Sequence, residues 1–168
     1  SKPNAEMARL AVDSYLAAIG KKLMSEPHDQ FEAAVRSLDL SQTLRDQSRI
    51  NASRETLLSL HREVIDRNEG PWWIAIDRLI ADKKSGITAD ELSQLVADLE
   101  RIVAQRSDTT DPGIFDPHAV EGAAGRLIKY YTRNGDSDNA KRLHEVVGRT
   151  FEHFASLGDS MLASAVLQ

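Results

Sequence analysis

The stretch Glu121–Val147, EGAAGRLIKYYTRNGDSDNAKRLHEVV, decides the reading of this chain. Its apolar and small positions recur every three or four residues on both sides of Asn134-Gly135-Asp136, the spacing of an amphipathic helix. Asn134-Gly135 ends a first helix, because glycine enters the left-handed region without a Cβ clash. Asp136 then caps a second helix. Ala123, Ala124 and Gly125 are small residues suited to close backbone approach. Leu127 and Tyr131 fill one seam of the first helix. Ala140 marks the crossing point on the second, and Leu143, Val147, Phe151 and Phe154 continue its buried stripe.

Working outward, the same period covers nearly the whole chain. Val12, Leu16, Ile19 and Leu23 form one stripe, and Phe31, Ala34, Val35 and Leu38 a second that opens near Pro27. Residues 40–50 are polar and weakly patterned. Leu57, His61, Val64 and Ile65 mark a helix that Asn51 or Ser53 could cap, ending before Gly70-Pro71. Trp72, Trp73, Ile76, Leu79 and Ile80 start the next, which Gly86 closes. Thr88 with Glu91 is a capping box. Behind it Leu92, Leu95, Val96, Leu99, Ile102 and Val103 form the cleanest amphipathic stripe in the chain.

Residues 107–115, SDTTDPGIF, read as a loop, since Ser, Asp, Thr, Pro and Gly dominate them. Asp116-Pro117 then supplies a cap and a first-turn proline. Gly158-Asp159 repeats the stop-and-cap logic of Gly135-Asp136. Beyond it Met161, Leu162, Ala165, Val166 and Leu167 begin a further apolar helix that Gln168 cuts short. Such an end reads as a fragment of a longer protein, as a helix packed on a partner, or as a short helix docked on its own core. No alternating strand pattern and no low-complexity tract occurs. The expectation is an all-α chain of about eight helices. An irregular N-terminal bundle spans 1–106, the loop 107–115 follows, and 116–168 holds the hairpin and the start of another helix.

The 168 residues, 41% apolar and 28% charged, suffice for a hydrophobic core without cross-links. A net charge of −5 provides no basic field for nucleic acid or anionic lipid. Cysteine is absent, which excludes disulfides and thiolate zinc sites and fits a reducing compartment. No apolar run nears the roughly 20 residues that span a bilayer, and the first residues lack a secretory core. These features fit a cytoplasmic protein with no membrane attachment.

The order Leu127, Tyr131, Gly135, Asp136, Ala140 resembles a tetratricopeptide (TPR) unit over residues 121–157. Ile128 departs from the pattern, which has a small residue there. The second helix is longer than usual, and no second copy lies upstream at a 34-residue period. The resemblance implies a protein-binding role without catalysis, its first helix lining a concave groove. On that basis Lys129, Thr132 and Arg133, with Arg126 nearby, would receive an acidic or C-terminal segment of a protein or peptide. The plain alternative is a solvated helix face. Trp72 and Trp73 point about 100° apart on a helix. One serves as a core anchor and Trp73 as a candidate partner contact, or both lie in the core.

Chemistry finds little purchase. The five histidines include His28, which shares a helix face with Glu32, and His153, near Glu145 and Arg149. No third ligand converges on either, so no metal or cofactor is expected. His61 sits on an apolar face and reads as a core-edge residue. Arg49, Arg45 and Arg54 fall in the weakly patterned stretch and read as a solvated face rather than an RNA contact. Residues 82–91, DKKSGITADE, place lysines where a calcium loop needs oxygen ligands. Arg149 and His153 resemble the Arg…His pair of helical ribonucleases of the HEPN type, at a shorter spacing. The expectation is therefore a non-catalytic interaction or regulatory domain. The alternative is a helical enzyme or nuclease whose site needs residues from elsewhere.

Overall fold

The computed structural model describes residues 2–65, 72–81, 85–107 and 116–166. The fold is all-α, with seven helices among the described residues. They are α1 (Lys2–Gly20), α2 (Pro27–Leu44), α3 (Gln47–Ile65), α4 (Trp72–Ala81), α5 (Ala89–Arg106), α6 (Pro117–Arg133) and α7 (Ser137–Val166). They divide into two compact units, Ser1–Leu92 and Ser93–Gln168, with the division inside α5. The 107–115 loop read from the sequence falls within the second unit, and its residues 108–115 lie outside the described residues, as do Gly70-Pro71.

In the first unit α2 packs against both α1 and α3, and α4 packs on α3 and α2. The core takes Val12 from α1, Phe31, Ala34 and Leu38 from α2, Leu57 from α3, and Ala75, Ile76 and Leu79 from α4. Each large apolar side chain buried there contributes about 1.5–3 kcal/mol. Ser37 and Ser41 are also fully buried, and their hydroxyls donate to the carbonyls of Ala33 and Ser37. The bond back to the preceding turn satisfies a small polar group without a partner from another helix.

Two helix ends depart from the sequence reading for one reason. Lys22 and Arg45 both adopt left-handed backbone, at φ 52° and 54°. At the end of α1, Leu23 N–H bonds Ala18 O and Lys22 N–H bonds Ile19 O, each at 2.9 Å. At the end of α2, Asp46 N–H bonds Ser41 O and Arg45 N–H bonds Gln42 O, each at 3.0 Å. Both are closures of the Schellman type, usually built on glycine. The first removes Leu23 from the buried stripe expected of it and leaves that side chain 72% exposed. The second starts α3 well before Asn51. Asp46, not Asn51 or Ser53, caps α3 by accepting from Arg49 N–H at 3.2 Å. Ser53 lies inside α3, fully buried, its Oγ without a hydrogen-bond partner.

Of the arginines of this stretch, Arg45 is exposed as expected, but Arg49 and Arg54 do not form a free solvated face. The Arg49 guanidinium grips Asp13 of α1 at 2.7 and 3.0 Å and Asp46 at 2.7 Å. The Arg49 side chain, and next its backbone N–H, hold the Asp46 carboxyl below the usual carboxylate range. Arg54 is buried. It donates to Gly86 O at 2.8 Å and to Asn51 Oδ1 at 3.0 Å, and its Nε lies 3.3 Å from Glu91 Oε2. His61 is also deeper than the core edge, at 1% exposure, with Nδ1 3.4 Å from Trp72 O.

The capping box at the start of α5 forms as the sequence implies. Glu91 N–H donates to Thr88 Oγ1 at 3.2 Å, and Thr88 N–H donates to Glu91 Oε2 at 2.8 Å. At the far end of the chain, α7 runs unbroken through Gly158-Asp159, so the two helices expected there are one. A lone glycine costs a helix interior about 1 kcal/mol, and no proline follows it to remove a donor.

Candidate partner-binding surface

The hairpin of α6 and α7 carries the candidate surface. Asp116 caps α6, its Oδ1 accepting from Ala119 N–H at 2.9 Å, and Pro117 occupies the first turn. Arg106 at the end of α5 lies 3.4 Å from Asp116 Oδ2. The inner face of α6 presents Val120, Ala123, Ala124 and Leu127, all fully buried. Ala140, Leu143 and Thr150 are buried residues of α7.

The turn is built as its residues dictate. Gly135 takes φ +76°. Asp136 N–H bonds Tyr131 O at 2.9 Å and Gly135 N–H bonds Thr132 O at 3.2 Å. Asp136 caps α7, accepting from Asn139 N–H at 3.1 Å and from Asn139 Nδ2 at 2.9 Å. The Asn139 side chain, then its backbone N–H, hold this carboxyl below its ordinary value.

Glu100 of α5 ties the hairpin down. Tyr131 Oη donates to Glu100 Oε1 at 2.9 Å, and Arg142 Nη2 donates to the same oxygen at 2.6 Å. Burial, and next the bond to Glu100, push the Tyr131 phenol up to about 12. The sequence offered no signal for Glu100, since its partners lie far away along the chain.

Two details of the expected seam differ. A Cβ built on Gly125 meets nothing within 4 Å, so among the described residues this glycine serves no close approach. On α7, Val147 and Phe151 are half-buried and Phe154 is 48% exposed, so the buried stripe thins after Leu143. The register of the hairpin is visible where the His118 and Phe151 rings meet edge-on at 6.3 Å.

Of the residues read as partner contacts, Lys129, Thr132 and Arg133 are exposed on the last turns of α6. Among the described residues neither Lys129 nor Arg133 has an ion-pair partner. Arg126 behaves differently. It is half-buried and its Nη1 donates to Gly122 O at 2.9 Å, so the guanidinium lies back along its own helix. Trp73 belongs to α4 in the other unit. It is 43% exposed and meets the buried Trp72 edge-on at 5.8 Å.

His28 lies 3.3 Å from Glu32 on an exposed face. Among the described residues no three histidine or carboxylate side chains converge as metal ligands. Arg149 is exposed and His153 half-buried on α7. Among the described residues no helix is long and apolar enough to cross a membrane. The chain matches no family model, no curated protein and no solved structure.

Proposed function

We propose that this chain is a non-catalytic protein-interaction domain, and that α6 receives an acidic segment of its partner. The observation that carries the reading is the pair Lys129 and Arg133. They stand one helical turn apart, exposed and, among the described residues, without a carboxylate partner. Arg49, Arg54, Arg78, Arg106 and Arg142 each have a carboxylate partner, and Arg45, Arg62 and Arg149 are, like this pair, exposed without one among the described residues. Two unpaired cations on one face attract an extended acidic peptide through charge-assisted hydrogen bonds. The resemblance of residues 121–157 to a TPR unit supports the same face, because first helices line the groove in that family. Arg126 then acts as a support beside the site rather than as a free contact.

The test is capture of partners on residues 1–168, followed by the double reversal Lys129→Glu with Arg133→Glu. Both side chains are exposed, so the fold tolerates the change. The retained partner is expected to be lost, and its binding to the unaltered chain to weaken as salt rises. Unchanged retention by the reversed variant would refute this face.

A further inference from the structure

The inner side of α1 puts Val12 and Ile19 into the core, where the helix packs on α2 and α3. Its outer side carries a second stripe. Met7, Leu10, Ser14, Ala17 and Lys21 follow one another at alternating steps of three and four, so they share the face opposite Val12 and Ile19. All five are exposed. Met7 is 69% and Leu10 60% exposed, two large apolar side chains one turn apart that no other element covers among the described residues. The stripe is graded along its length. The large apolar residues stand in its first half and the small Ser14 and Ala17 in its second. Charge is graded with size: Glu6 borders the start of the stripe, and Lys21 ends it. Both are exposed, and among the described residues neither has an ion-pair partner.

We propose that this face binds a second copy of the chain, α1 against α1, antiparallel about a two-fold axis near residue 12. A two-fold contact uses one patch that is complementary to itself. Met7 lies over Ala17 of the second copy and Leu10 over its Ser14, so large side chains meet small ones in each layer. Glu6 comes within reach of Lys21 of the second copy. The grading selects both the occupant and the direction. Parallel pairing would set Lys21 on Lys21 and Glu6 on Glu6, and would leave Ser14 facing Ser14. Asp13 borders the axis, and its ion pair with Arg49 of the same chain offsets the approach of the second Asp13. The 19 residues of α1 span about 28 Å, so the contact is small and the dimer weak. The surface belongs to the first unit and does not depend on the acidic partner of α6.

The test is sedimentation equilibrium of the chain from about 10 μM to about 1 mM, the range in which so small a contact associates. The mean mass should rise with concentration from 18.6 kDa toward twice that value. Leu10→Glu should hold it at the monomer. Ala17→Gln removes no large apolar side chain, yet it should weaken association at least about tenfold, because it sets a polar group against Met7 of the second copy. Glu6→Lys and Lys21→Glu should each weaken association about three- to tenfold, since each ion pair occurs twice in the dimer. The two exchanges combined should restore most of it, which only the antiparallel pairing of Glu6 with Lys21 explains. All four side chains are exposed, and far-UV circular dichroism checks that each variant stays helical. A mass fixed at the monomer throughout the range would overturn the proposal. So would a double exchange no better than either single one. Association that survives Leu10→Glu or Ala17→Gln would place the contact on another face and overturn it as well.

Discussion

Tyr131 of α6 donates its phenolic proton to Glu100 of α5 at 2.9 Å, across 31 positions of sequence. Arg142 of α7 holds the same oxygen. One carboxylate thus joins three helices of the second unit. Tyr131→Phe removes one donor and leaves Glu100 paired with Arg142. The expected loss is about 1 kcal/mol, read as a lower urea midpoint with an unchanged slope.

The same contact sets an alkaline dependence. The folded phenol titrates at about 12, above the value near 10 of an unfolded tyrosine. The contribution is therefore complete below pH 10 and lost as pH rises toward 12. Phenolate absorbance of the native protein should show a late phase near pH 12 that Tyr131→Phe abolishes. A late phase that persists in the variant would assign it elsewhere.

Acid acts through the helix caps. Asp46, Glu91 and Asp136 stand at the starts of α3, α5 and α7, and all three carboxyls titrate below their ordinary values. For Glu91, burial pulls upward, and the bonds from Thr88 together with Arg54 outweigh it. A depressed carboxylate contributes stability above its unfolded value and loses it as pH falls through the folded one. Stability should therefore decline below about pH 4.5. Replacing Glu91 with Gln should lower stability at pH 7 and flatten the decline. An equally steep acid limb in E91Q would remove Glu91 from this account.

Glycines in the hairpin divide by backbone, not by neighbours. Gly125 and Gly148 sit inside helices with open space around a would-be Cβ. Gly135 has equally open space but φ +76°. Alanine at 125 or 148 should stabilise by about 0.5–1 kcal/mol, because it restricts the unfolded chain and strain is absent. Alanine at 135 should destabilise by about 1 kcal/mol. Equilibrium urea unfolding of the three variants separates them by sign.

The parts legible in the sequence were those decided locally. Thr88 and Glu91 are three residues apart, and Asp116-Pro117 and Gly135-Asp136 are adjacent, so each cap is written in its own neighbourhood. Leu23 was misplaced because apolar spacing gives no sign that Lys22, a residue with a Cβ, turns the chain left-handed. Gly158-Asp159 looked like Gly135-Asp136, yet α7 passes through it. The difference is that Gly135 leaves the helical region and is followed by Asp136, which caps α7. For the candidate surface, exposure of Lys129, Thr132 and Arg133 followed from helical phase. The turning-back of Arg126 onto Gly122, and the burial of Arg54, depended on contacts that periodicity does not encode.

Arg54 supplies the most demanding case. Its side chain is buried, and it bonds the Gly86 carbonyl 32 positions away while its Nε faces Glu91. Gly86 is left-handed, at φ +69°, and a Cβ there would approach Arg54 Nη1 to 3.2 Å. The arginine thus fixes the turn that leads into α5. Arg54→Met keeps an apolar stem and removes every donor, so Gly86 O loses its bond from Arg54 and the partly buried Glu91 keeps only that from Thr88 N–H. The expected loss is about 2–3 kcal/mol, since one partner of a largely buried pair remains without the other. Arg54→Lys should recover little of it, because an ammonium cannot reproduce the fork that reaches Asn51, Gly86 and Glu91 together. E91Q in the Arg54→Met background should cost less than E91Q alone. A double-mutant cycle in urea measures that difference, and simple additivity would show that Arg54 acts through packing rather than through Glu91.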